Sequence, residues 1–168
     1  MKEAYVNAVL QPAKTVWWRL LNSPLLLARA EIEEVTATSE EVTAAVQVSG
    51  QLNGTVMYGF DGNAVKSVSR KVLEWADGHS TVSRLDPADA AQSAISQVAA
   101  MITREAAASL DRAGYECTLS QPSFLGPRGS SLGHGATRML GVLFRGTTGN
   151  LHIRLDLEEA PAAVAVAA

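Results

Sequence analysis

Apolar residues recur at helical spacing along the first twenty positions. Val6, Val9, Leu10, Ala13, Val16, Trp17, Leu20 and Leu21 share one face of a helix over about Glu3 to Leu21. Pro12 sits inside it and predicts a kink or a later start. Asn22-Ser23-Pro24 is a stop signal. Three strand-like runs follow. Glu31 to Thr38 alternates loosely, with Ile32 opposed to Glu31 and Glu33. Val42, Ala44, Val46 and Val48 lie on one side of the next run, and Thr55 to Phe60 is β-branched and aromatic. Gly50 to Gly54 is turn chemistry, so the three runs read as an antiparallel meander with one buried face.

The spacing then returns to helical. Asp61 is placed to cap a helix over about Gly62 to Ala76, with Val65, Val68, Val72, Leu73 and Trp75 available for its buried side and Asp77-Gly78-His79-Ser80 as its stop. Asp86-Pro87 opens the longest helix, which runs to about Ala113 and ends at Gly114. Its predicted seam is Ala91, Ile95, Val98, Ile102, Ala106 and Leu110. Tyr115 to Ser120 reads as a strand, and Gln121 to Ala136 as a long loop. Arg138 to Phe144 and Leu151 to Leu157 form a hairpin around Gly146 to Asn150. In its last strand Leu151, Ile153, Leu155 and Leu157 point inward, and His152, Arg154 and Asp156 outward.

The order is helix, three strands, helix, helix, three strands, which reads as two pseudo-repeated helix-plus-three-strand halves. Long helices flanking an antiparallel sheet make an α+β layer fold. The pattern predicts a single domain over residues 1–158 and an Ala-rich, frayed tail over 159–168.

Composition narrows the function classes. Of the 168 residues 47% are hydrophobic and 18% charged, 27 are alanine, and the formal net charge is −3. That is enough apolar surface for a full core and excludes a disordered tail protein. A pI near 5.6 argues against a nucleic-acid binder. One cysteine, Cys117, excludes an internal disulfide framework and a cysteine zinc site, and is read as a buried structural thiol in a reducing cytoplasm. The longest apolar stretch, Leu25 to Ala28, is too short to span a bilayer, and no targeting segment is read at the N-terminus.

General motifs add little. Walker, GxGxxG, HExxH, GxSxG and EF-hand patterns are absent. Gly126 to Gly135 looks like a phosphate loop but lacks the GK[ST] ending and opens onto a strand, so it reads as a surface loop. His79, His134 and His152 lack the short spacing of metal ligands and read as two loop residues and one exposed strand residue, with no metal expected. Trp17 and Trp18 point about 100° apart on a helix, which suits one core ring and one partner contact.

Several strings carry a more specific signal. Tyr5 to Leu10 with Thr15-Val16, Val46 to Val56, Gly59-Phe60-Asp61 through Lys71-Val72-Leu73, the long helix with Ala94-Ile95 and Met101-Ile102, and Tyr115 to Pro122 followed by the late hairpin stand in one order. Together they resemble the CheX family of chemotaxis phosphatases, relatives of CheC, over about residues 4 to 158.

The resemblance implies an α+β CheC/CheX-like fold, a homodimer, and hydrolysis of the aspartyl-phosphate on a response-regulator receiver domain. No cofactor of its own is implied, since Mg²⁺ would belong to the receiver. In the family the long helix carries Glu-x-x-Asn: the amide holds an attacking water and the acid fixes docking on the receiver's lysine. The i, i+3 spacing puts both on one helix face.

Here the matching positions hold Gln97 and Ala100. Alanine cannot orient water, and Gln97 cannot make the same ion pair. Asp89-Ala90-Ala91-Gln92 is an acid-x-x-amide string two turns earlier, read as first-turn acid complementing the helix dipole. The face around the family positions is Ser93, Ser96, Gln97, Ala100, Thr103, Arg104 and Ala107, small and mildly polar. The expectation is a CheX-like cytoplasmic domain that binds a receiver through this face, or pairs with itself, without phosphatase activity. The alternatives are an active phosphatase, with Gln97 as the amide and Asp89 or Arg104 in the docking role, and a structural module with no receiver partner.

Overall fold

The structure, a computed structural model, describes residues 1–76, 86–133 and 135–161. Helix α1 covers Glu3–Leu21, followed by strands β1 (Leu26–Val35), β2 (Val42–Gly50) and β3 (Leu52–Phe60). Helices α2 (Gly62–Ala76) and α3 (Pro87–Arg112) come next. Strands β4 (Cys117–Leu119), β5 (Ser123–Pro127), β6 (Thr137–Gly146) and β7 (Gly149–Glu159) complete the chain. The stop proposed at Asp77 to Ser80, His79, His134 and the tail from Ala162 lie outside the described residues.

The α+β, antiparallel architecture is the one the sequence predicts. The seven strands form one sheet in the order β1-β6-β7-β3-β2-β4, with β5 also paired to β2. Among the described residues every strand pairing is antiparallel. The pairing is not two self-contained meanders, however. β2 and β3 pair as expected, but β1 pairs with β6 and forms the sheet edge. The connection over residues 36–41 therefore carries the chain past β6, β7 and β3 to reach β2. β1 also begins five residues earlier than predicted and ends at Val35.

The helices obey their caps. An Asp61 oxygen accepts from the Ala64 amide at 2.8 Å, and Asp86 accepts from Ala88 at 3.1 Å with Pro87 at the first helical position. Gly114 adopts φ +88° just past α3, and the Tyr115 amide closes back onto the Leu110 carbonyl at 2.9 Å. Pro12 lies within the continuous α1, buried, so it does not mark a later start.

One sheet face packs on the helices. Leu151, Ile153, Leu155 and Leu157 of β7 meet Val56, Tyr58 and Phe60 of β3, Ala44, Val46 and Val48 of β2, and the buried faces of all three helices. Trp17 is fully buried and Trp18 half exposed. On α2 the buried side is Ala64, Val65, Val68 and Val72. Leu73 and Trp75 are exposed, contrary to expectation: Leu73 is turned about 100° beyond Val72, and Trp75, on the same side as Val68 and Val72, stands in the last turn of α2.

On α3 the predicted seam is buried except for the half-buried Ala91. Arg19 of α1 pairs with Glu105 of α3 at 2.7 Å and ties the two helices. Cys117 is half-buried on the short β4 rather than a core thiol. β7 extends through Glu159, and the Ala160 amide donates to the Gln51 carbonyl at 2.8 Å.

Ile102 is fully buried where α3 meets the sheet. Ile102→Ala is expected to lower unfolding stability by about 2–5 kcal/mol, read from urea titration.

Candidate functional site

The face of α3 that carries the family positions is open rather than packed against another helix. Asp89, Gln92, Ser93, Ser96, Gln97 and Ala100, with Phe124 of β5, line a groove of about 450 Å³. Ala100, Thr103, Arg104 and Ala107 line an adjoining cleft of about 230 Å³ against Leu119, Ser120, Gln121 and Pro122. The predicted face is thus divided, with Ala100 at the shared boundary. Gln97 and Arg104 are exposed, and Ser93, Ser96, Ala100 and Ala107 half-buried. Thr103 is buried and its hydroxyl donates to the Ala99 carbonyl at 2.7 Å, so it offers no free donor. Asp89 and Gln92 share the groove with Gln97, whereas Arg104 lies in the cleft.

The groove's second wall was not legible in the sequence. Ser123–Pro127, read as part of a long loop, forms β5 and pairs with β2 at Val42↔Pro127, Ala44↔Phe124 and Ala45↔Ser123. Two prolines and several glycines masked a short strand whose partner supplies the regularity.

A second polar cluster occupies the opposite sheet face. His152, expected to be exposed, and Arg154 are both buried. The two His152 ring nitrogens each lie 2.9 Å from a carboxylate oxygen, Nε2 from Glu33 and Nδ1 from Glu40. The Arg154 guanidinium donates to Glu40 at 2.7 and 2.9 Å, to Glu33 at 3.2 Å and to the Ser39 hydroxyl at 2.6 Å. Burial pushes the Glu40 carboxyl up, but hydrogen bonds from His152, Arg154 and Ser39 hold it well below the usual carboxylate range.

Two strand glycines make room for these acids. A Cβ on Gly59 would meet the Glu40 side chain at 2.7 Å, and one on Gly141 would overlap the Glu33 carboxylate. Glycine inside a strand signals such close approach, yet nothing in the sequence said which side chains approach. The alternation of β7 put His152 and Arg154 on the outer face correctly; it could not show that residues 36–41 cover that face.

Ser39, Glu40, Glu41, Asp61, Arg128 and His152 also border a pocket of about 200 Å³. Among the described residues no group of three or more His, Cys, Asp or Glu side chains is arranged to hold a metal ion. None of their helices is long and apolar enough to cross a membrane.

Comparison with solved structures shows what the fold resembles. A CheX chemotaxis protein from Desulfovibrio desulfuricans superposes with TM-score 0.75 at 17% identity, over 92% of this chain and 99% of that one. This is a CheC/CheX-like fold. A CheC-like superfamily protein from Shewanella matches at TM-score 0.74 and 18% identity, over 94% and 99% of the two chains. CheX from the CheX–CheY–BeF₃–Mg²⁺ complex of Borrelia burgdorferi matches at 0.63 and 16%, over 94% and 100%. No family model matches the sequence, and no curated protein does. The CheC/CheX-like likeness is carried by layers and topology at these identities, and spans nearly the whole of each chain.

The depressed Glu40 carboxyl makes a signed prediction. Its ionised form stabilises the fold above the ordinary carboxylate range, and that stability is lost as pH falls toward the lower folded value. Glu40→Gln is expected to cost roughly 3 kcal/mol at pH 7, because it leaves Arg154 and His152 with one carboxylate fewer. The gap from wild type should narrow on titration to pH 3, checked by urea unfolding across that range.

Proposed function

We propose that this protein is a cytoplasmic signalling domain that binds the receiver domain of a response regulator through the α3 groove. In this reading it pairs with a second copy of itself and lacks aspartyl-phosphate phosphatase activity. The observation that carries the reading is the content of the groove. Gln97 is exposed and Ala100 contributes only a methyl group, so the pair cannot supply both a docking carboxylate and a water-holding amide. The one acid among the described residues lining the groove, Asp89, stands eight residues before Gln97, roughly 12 Å along the helix axis. Phosphoryl transfer depends almost wholly on placing water in line and stabilising charge, so a displaced acid does not replace an i, i+3 pair. Mg²⁺ in such a complex belongs to the receiver. The CheX–CheY complex among the structural neighbours supports a receiver as the partner class.

The second reading, an active phosphatase, draws on one observation: Asp89, Gln92 and Gln97 line the same groove. Phosphate release from acyl-phosphorylated receivers separates the two. We expect binding by calorimetry with release no faster than autodephosphorylation. The double change Gln97→Glu with Ala100→Asn should raise release about tenfold or more. Acceleration by the wild type that disappears in Gln97→Ala would establish the second reading instead.

Pairing with a second copy is supported by the edge position of β1 among the described strands, where Leu26, Leu27 and Ile32 are 67%, 63% and 54% exposed. An edge strand with exposed apolar side chains is a template for another strand. We expect a dimer in sedimentation velocity, and Ile32→Lys to shift it to monomer without loss of helical content.

A further inference from the structure

The α3 groove is asymmetric in chemistry. Its helix wall offers the hydroxyls of Ser93 and Ser96, the methyl of Ala100 and the polar Asp89, Gln92 and Gln97. Its sheet wall offers one large apolar side chain, the ring of Phe124. Phe124 stands opposite Ala44 in the β2–β5 register, so no bulky cross-strand neighbour covers it. The ring packs partly on the core and remains half-buried at the groove. Small residues across from it leave its outer face uncovered. An aromatic ring in a recess, rimmed by polar side chains, has the anatomy of a binding hot spot.

β5 is also held firmly enough to present that ring. The Thr38 hydroxyl donates to the Pro127 carbonyl at 2.7 Å, and the Gly129 amide to the Thr38 carbonyl at 2.8 Å. Ser39 and Glu40, next along the chain, are gripped by Arg154. These contacts involve neither Phe124 nor the groove, so the ring can be changed while they remain.

We infer that Phe124 is the apolar anchor of the groove and its specificity-determining contact, seating an apolar side chain of the receiver domain that docks there. The inference rests on the receiver-binding reading and extends it from the helix to β5. Because Asp89 is the one charged residue among the described residues lining the groove, affinity comes from desolvating the ring rather than from long-range charge. It therefore depends only weakly on salt.

The test uses the full chain and a panel of receivers, titrated by calorimetry at low and moderate salt, with urea unfolding as the folding control. Phe124→Ala should weaken binding about tenfold or more, and Phe124→Leu, which keeps apolar volume, should stay within about threefold of wild type. Gln92→Ala on the rim should change affinity by less than about threefold. If Phe124→Ala does not fold, Phe124→Gln, which keeps reach without the apolar ring, takes its place with the same expected loss. Equal binding by wild type and Phe124→Ala, or a steep fall of wild-type affinity with salt, overturns this inference and leaves the receiver reading standing. Failure of the wild type to bind any receiver overturns both.

Discussion

The grip of Glu33 and Glu40 on His152 and Arg154 is the contact on which the topology depends. Placing β1 at one edge and β2 near the other forces residues 36–41 across the middle of the sheet, on the face away from the helices. A crossing segment there has backbone groups to satisfy and charged side chains to bury, and neither is tolerated without partners. Arg154 and Ser39 fasten the crossing to β7, while His152 is bridged between the carboxylate at the end of β1 and the one on the crossing segment. Gly59 and Gly141 supply the clearance that lets both acids lie against the strands. Charges paired in this way are costly to break from one side, so the cluster fixes the path of the chain more than it adds net stability.

The same crossing organises what lies beyond it. Residues 36–38 exchange backbone hydrogen bonds with 129–132, including the Thr38 amide to Ser130 and the Leu132 amide to Thr36. That ladder continues from Pro127 at the end of β5, which sets where Phe124 stands beside α3. On the other face α3 is held by its own apolar seam and by the Arg19–Glu105 pair. The groove is therefore a meeting of two layers, each located by different physics: hydrophobic burial for the helix, and paired charges with backbone bonds for β5.

Much of the fold was legible along the chain. The three helices carry a 3.6-residue period, side-chain caps at Asp61 and Asp86, and a terminating glycine at Gly114, all local signals. The apolar side of β7 followed from strict alternation. Less legible was everything decided by distant partners. β5 has five residues and weak propensity, and exists because β2 offers an edge. β1 carries acids and exposed apolar residues that fit a solvent face on either edge, so its pairing with β6 left no mark in its own pattern. Leu73 and Trp75 look like core by composition, and both are exposed near the end of α2.

The sequence by itself determined the class of layers, the helix boundaries and the identity of the residues at positions 97 and 100, because each depends on spacing within a few turns of chain. The tertiary structure decided which strands meet, that His152 and Arg154 are buried rather than solvated, and that Gln97 and Ala100 face an aromatic ring from another layer. Those outcomes depend on contacts between residues separated by as many as 121 positions, as between Glu33 and Arg154. A strand's periodicity states which side a residue faces; what covers that side is settled when the chain closes on itself.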